Sequence, residues 1–132
     1  MYRIAVLTDR MNIGAGYADQ VSRFCAEQGM FPEIALYQET ESFFEHFQEL
    51  KPSSVLLALQ GVAGLNAAEH LRSISPECGM IWCSDLDFSL HAFRIGAEYF
   101  FLEPVCDEKL KEGLQVWMER RRFDKNKIRT GT

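Results

Sequence analysis

Residues 55–61 read VLLALQG. Val55, Leu56, Leu57 and Leu59 are large and aliphatic, with no polar residue alternating between them. An uninterrupted run of this kind marks a strand buried on both faces of a parallel sheet. Parallel strands need helical crossovers, so the rest of the chain should alternate strand and helix. In open sheets of that class, chemistry is done at the carboxyl ends of the strands. This strand ends in Ala58, Leu59, Gln60 and Gly61, and the Ala58 methyl has no chemistry to offer.

The alternation extends in both directions from that strand. YRIAVL (2–7), EIALY (33–37), GMIWCS (79–84) and EYFFL (98–102) read as further strands. GYADQVSRFCAEQG (16–29) places Tyr17, Val21, Phe24 and Cys25 on one helical face and stops at Gly29. ESFFEHFQEL (41–50) spaces Phe43, Phe44, Phe47 and Leu50 as a second helix, with Pro52 just beyond it. LNAAEHLRSI (65–74) offers Leu65, Ala68 and Leu71. DFSLHAFRIG (87–96) starts near Asp87, an acceptable cap, and ends at Gly96. DEKLKEGLQVWMERR (107–121) puts Leu110, Leu114 and Trp117 on one face, with acids first and bases last, as the helix dipole favours. Five strands alternating with five helices predict a parallel α/β sheet covered on both faces.

With 132 residues the chain suits one domain, and 47% hydrophobic residues with ten Phe exclude global disorder. No apolar run reaches the roughly 18 residues of a membrane span, and the N-terminus has no signal-peptide layout. A cytoplasmic protein with no membrane partner is expected. The four cysteines, Cys25, Cys78, Cys83 and Cys106, form no C-x-x-C pair. They read as buried hydrophobes or incidental thiols, Cys83 being nearest a strand tip. The net charge of -5 divides unevenly. From Arg120 onward there are six bases and one acid, a basic tail or linker start over 121–132. The body before it holds eight bases and 18 acids, a balance that does not attract nucleic acid.

HAFRIGAEYFFLEPV (91–105) resembles the end of the receiver domain of two-component response regulators, the CheY-like family. There a helix runs into Gly-Ala, an aromatic-bearing strand and Lys-Pro. RIAVLTD resembles the first receiver strand, and KPSSVLLALQGVAGLNAAEHLR the third strand with its loop and helix. The likeness covers about residues 2–120 and implies a doubly wound, flavodoxin-like (CheY-like) five-stranded sheet in the order 2-1-3-4-5 with five helices. The AF-x-x-GA run also resembles receivers fused to LytTR-type DNA-binding domains.

The resemblance implies a phosphorylation site that this chain has lost. The family's acid pair falls on Thr8 and Asp9, its phosphoacceptor aspartate on Ala58 and its lysine on Glu103. The Ser/Thr after the fourth strand is kept as Ser84, the switch aromatic as Phe100 and the proline as Pro104, where a cis peptide is expected. A receiver uses a carboxylate nucleophile, Mg2+ and a lysine. Asp9 alone is a weak metal candidate, because Mg2+ wants several oxygen ligands. Glu103 reverses a charge term of around 4 kcal/mol for unit charges about 4 Å apart at an intermediate dielectric. The pocket is therefore expected to lack a nucleophile, a cationic anchor and a metal.

Other readings stay open at this point. Asp85 or Asp87 could substitute as acceptor, though capping explains Asp87. Asp9 with Glu103 could hold a cation, although Asp9 pairing with Arg10 or capping the first helix is the simpler expectation. IGAG (13–16) offers a partial nucleotide or flavin loop without its third glycine.

The expected function is a pseudo-receiver: non-enzymatic, without cofactor, signalling through a protein partner or a homodimer. The contact face implied is made by the fourth helix, fifth strand and fifth helix, with His91, Arg94, Tyr99, Phe100 and Trp117 as candidates. As the alternative, the chain is the amino-terminal regulatory module of a transcription regulator whose DNA-binding domain lies outside it. Placing Asp at position 58 and Lys at 103 is expected to restore phosphorylation only in part, because Thr8 leaves the metal cluster short.

Overall fold

Aliphatic runs become a five-stranded parallel sheet in a computed structural model of the chain, which describes residues 2–129. In chain order the elements are β1 (Arg3–Leu7), α1 (Met11–Glu27), β2 (Glu33–Tyr37), α2 (Thr40–Glu45), α3 (Phe47–Leu50), β3 (Ser54–Leu57), α4 (Gly61–Ile74), β4 (Gly79–Ser84), α5 (Ser89–Arg94), β5 (Tyr99–Leu102) and α6 (Asp107–Arg129). The sheet order is β2-β1-β3-β4-β5, all parallel, as the sequence predicts.

Successive side chains of a strand point to opposite faces, and this divides the core in two. On one face Ile4, Val6, Leu56, Ala58, Ile81, Cys83 and Phe101 meet Tyr17, Val21 and Phe24 of α1 and Leu110, Leu114 and Trp117 of α6. On the other, Leu7, Val55, Leu57, Met80 and Trp82 meet Phe43 and Phe47, then Ala67, Ala68 and Leu71 of α4. Strands β3 and β4 are fully buried along their length, which explains why VLLAL and GMIWC carry no alternation. The edge strand β2 is only half covered.

Several helices differ from their sequence reading, α4 among them, which begins at Gly61, four residues before the expected Leu65. α1 begins at Met11, five residues before the expected start, and the Gly14 N–H already donates to the Arg10 carbonyl at 2.8 Å. The two glycines lower helix propensity, so the pattern placed them in a loop. Tertiary contact overrides propensity here. A Cβ on Gly14 would lie 2.6 Å from Thr8 Cγ2 and 2.8 Å from Leu36 Cδ1, so the glycine lets α1 settle onto β1 and β2.

The predicted second helix is divided at His46. The Ser42 carbonyl still receives the His46 N–H at 3.2 Å and lies 2.8 Å from its ring Nδ1, and α3 begins at Phe47. The last helix runs to Arg129, through the boundary expected near residue 120, whereas residues 130–132 of the expected basic tail lie outside the described residues. Among the described residues no helix is long and apolar enough to cross a membrane.

Candidate functional site

The carboxyl ends of β1, β3, β4 and β5 surround a cleft of about 410 Å³. Its centre is an ion pair absent from the sequence reading. Chain direction creates it: β1 ends at Leu7, Thr8 is buried, and α1 starts at Met11, so Arg10 is the residue that turns over the sheet edge. The Thr8 hydroxyl accepts the Arg10 N–H at 3.3 Å and steadies that turn. Arg10 Nη2 then donates to Glu103 Oε1 at 2.8 Å and Oε2 at 3.1 Å, and to the Ala58 carbonyl at 3.1 Å. Tyr17 donates its hydroxyl to Glu103 Oε2 at 2.8 Å. One guanidinium thus ties the tip of β3 to the tip of β5. The Glu103 side chain is only 9% exposed, so this pairing is what permits its charge to stay buried.

Burial raises the Tyr17 phenol well above its ordinary value, with Cys83 and Glu103 adding to the effect. Burial also raises the Cys83 thiol, Glu103 adds to the shift, and Tyr17 and Arg10 oppose it. Cys25, in the same core layer, is pushed up to about 11 by burial. The thiols are neutral in the fold and ionise sooner when unfolded, so their stabilisation is whole below pH about 9 and is lost as pH rises. For Cys25 the loss runs from about 9 to about 11, at a slope near 1.4 kcal/mol per pH unit. Urea midpoints measured at pH 7, 9 and 10.5 should fall across that window, and less steeply for Cys25→Ala. A flat profile would contradict the burial of neutral thiols.

The sequence-derived site residues separate into three groups. Glu103 and Ala58 line up with Arg10 as described. Ser84 is buried, but its Oγ serves the local chain, accepting the Leu86 N–H at 3.2 Å. Asp9 points outward, with a side chain 60% exposed and Oδ1 3.7 Å from Arg10 Nε. The cation imagined between Asp9 and Glu103 is therefore Arg10 itself, bound on one side by Glu103 and faced on the other by Asp9. Glu103 does not leave the pocket without a cationic anchor either, because Arg10 supplies one and Glu103 consumes it. Among the described residues, no group of three or more His, Cys, Asp or Glu could hold a metal. The Glu103–Pro104 peptide is cis.

Asp87 is not the cap expected from the sequence: the N-cap of α5 is Phe88, which makes no side-chain cap bond. Asp87 Oδ1 accepts the Ser89 N–H at 3.0 Å, and the hydrogen bond from the Ser89 side chain, then that from its backbone, lower the Asp87 pKa. Asp85 Oδ1 accepts the Gly61 N–H at 2.8 Å and the side chain lines the cleft. The IGAG residues form the first turns of α1, with Gly14 packed on Thr8, so the glycine loop needed for the flavin or nucleotide reading is not formed.

On the presumed contact face, Phe100 is half-buried with its ring edge-on to Trp82, their centroids 5.4 Å apart. Trp82 stacks on Phe88, whose ring meets His91. Tyr99 turns to the opposite layer, against Phe101, and its hydroxyl donates to Glu112 at 3.3 Å. Arg94 is exposed. Trp117 is withdrawn from the face altogether: it is 1% exposed, held in the core against Tyr2. The side chains that α5 and β5 do present are Leu90, Phe93 (84% exposed) and Leu102, none of them singled out from sequence. Arg10 was missed as the centre of the site, although a signal existed. Arg10 and Tyr17 are seven residues apart, two helical turns, and so share a face.

Comparison of the sequence with protein-family models returns no match, and comparison with curated proteins returns none. Solved structures do match. The chain is similar to the response regulator DrrB of Thermotoga maritima, an OmpR/PhoB homologue, with TM-score 0.73 and 21% identity over 92% of this chain and 54% of that one. It therefore spans about half of DrrB. The receiver domain of AraT from Geobacillus stearothermophilus matches with TM-score 0.73 and 17% identity over 93% of this chain and 98% of that one. A CheY-like receiver domain protein from Methanospirillum hungatei matches with TM-score 0.73 and 15% identity, covering 94% and 98%. These likenesses show that the chain has the receiver-domain fold.

Proposed function

We propose that the protein is a receiver-like signalling module that works without aspartyl phosphorylation, through protein–protein contact. The observation that carries this reading is the Arg10–Glu103 pair lying over Ala58. A methyl group cannot accept a phosphoryl group, and Arg10, the only cation among the described residues that line the cleft, is bound by the residue that stands where a receiver carries lysine. Ala58 offers no oxygen, and among the described residues no group of three or more His, Cys, Asp or Glu could hold a metal, which supports a reading without the family's chemistry. Output then rests on the exposed side chains of α5 and β5. Leu90 and Phe93 stand one helical turn apart beside Arg94, and Leu102 extends the same apolar surface from β5. A partner protein or a second copy of the chain would cover them. The regulatory-module reading draws support from DrrB, in which the matched part is 54% of a longer response regulator.

The test is direct. Beryllofluoride or acetyl phosphate with Mg2+ should leave the amide NMR spectrum of the protein unchanged. Saturable shifts around Asp9, Ser84 or Asp85 would show that the cleft still takes a phosphoryl group, and the reading would fall.

A further inference from the structure

We propose that the protein forms a two-fold symmetric dimer through the open edge of β2, joining the sheets of two copies into one continuous sheet. This edge lies at the far side of the sheet from α5 and β5, and its use does not depend on the signalling reading.

β2 is an edge strand, bonded to β1 on one side only. The Glu33 N–H donates to the Tyr2 carbonyl and the Tyr37 carbonyl accepts the Thr8 N–H, both at 3.0 Å. Residues 33, 35 and 37 therefore turn their backbone groups to β1, and the N–H and C=O groups of Ile34 and Leu36 point to the open edge. Natural edges are blunted by Lys, Pro or a bulge, and Glu33–Tyr37 has none of these. Its one charge, Glu33, stands at the end of the strand and pairs with Arg3 Nε at 3.3 Å.

The strand is complementary to itself. Antiparallel pairing about Ala35 sets Ile34 opposite the partner's Leu36 and Glu33 opposite the partner's Tyr37. Each Ile34–Leu36 pair exchanges both of its hydrogen bonds. Ile34 and Leu36 face the α1 layer, and Leu36 is 38% exposed, so the pairing covers apolar surface. α1 fits the same symmetry. Gly14 packs on both Thr8 and Leu36, so α1 lies over the seam between β1 and β2. Two such helices would run antiparallel, two strand spacings or about 9.6 Å apart, within the ~8–10 Å of packed helices. Tyr17 and Phe24 look toward the core shared with α6. The flank that meets the partner is then Met11, Ala15, Ala18, Ser22 and Ala26, uncharged although all but Ala18 are exposed.

Charge and area select a second copy as the occupant. With eight bases and 18 acids before residue 120, two copies repel over most of their surface. Along the β2 edge and the α1 flank only Glu33 is charged, and Arg3 already pairs it. A strongly charged partner finds nothing to bind there, whereas a second copy finds its own register. An unrelated strand could extend the sheet but would leave the α1 flank uncovered. The five residues of β2 and five of α1 are fewer than the roughly 20–30 a side of a standard interface. The dimer therefore belongs to the weak class, with a dissociation constant on the order of 100 μM. Glu39, Glu41 and Glu45 are exposed on and beside α2 and carry like charge in both copies, so salt should tighten the dimer.

Sedimentation of the full chain from about 10 μM to about 1 mM should show a monomer–dimer equilibrium that strengthens from low to physiological salt. Leu36→Lys, which installs the residue typical of protected edges, should weaken it at least about tenfold while the amide NMR spectrum stays that of a folded chain. Phe93→Glu, on α5, should leave it unchanged. Cys106→Ser removes the one exposed thiol among the described residues. In that background Ala35→Cys should give a disulfide-linked dimer on mild oxidation, because the two Cα atoms face each other about 4.5 Å apart, within disulfide reach. Glu33→Cys should not, since its two Cα atoms lie about 13 Å apart along the strands. A monomer at about 1 mM, an unaffected Leu36→Lys variant, dissociation by Phe93→Glu, weakening by salt, or equal cross-linking at positions 33 and 35 would each overturn the proposal. None of these outcomes bears on the phosphoryl test above, so the two readings fail separately.

Discussion

Arg10→Met should destabilise the fold by about 3 kcal/mol at pH 7, although the residue lies at the surface end of the sheet. The substitution leaves the carboxylate of Glu103 nine-tenths buried, held only by the Tyr17 hydroxyl. It also removes the donor on the Ala58 carbonyl. Glu103→Met should cost less, because the guanidinium it releases is 23% exposed and keeps Asp9 and the Ala58 carbonyl beside it. The double variant should return to within about 1 kcal/mol of the parent, since an apolar pair of similar volume often replaces a buried ion pair without loss. Urea unfolding of the four proteins gives the coupling energy. If the two single losses simply add, the pair is a surface contact and the clasp has no structural role.

The second large effect concerns phosphorylation. Ala58→Asp with Glu103→Lys should restore Mg2+-dependent labelling by acetyl phosphate only weakly. Thr8 leaves the metal cluster short of an acid, and the structure adds a second obstacle. Arg10 Nη2 lies 3.1 Å from the Ala58 carbonyl and would lose Glu103 as its partner, so it is free to seize the introduced carboxylate. A cation there also repels Mg2+. Adding Thr8→Asp and Arg10→Ala should raise the labelling rate at least tenfold over the double variant, about 1.4 kcal/mol in barrier. Full labelling of the double variant would mean that Arg10 does not block the site.

The amino-acid sequence by itself determined the parallel sheet and its two-sided burial, and its resemblance to receivers supplied the strand order. Aliphatic runs such as VLLAL and GMIWC commit a strand to the interior of a parallel sheet whatever its neighbours are, because burial depends on the local pattern. It also determined what cannot happen at Ala58, since a missing oxygen is a covalent fact. Tertiary structure alone decided what replaced the lost chemistry. Arg10 and Glu103 are 93 residues apart, and nothing local tells either that the other is 2.8 Å away. The same holds for Gly14, whose place in a helix follows from the nearness of Thr8 and Leu36, and for Trp117, turned inward by the packing of α6. Charge pairing and close approach are properties of chain segments brought together by folding, so only the assembled sheet could reveal them.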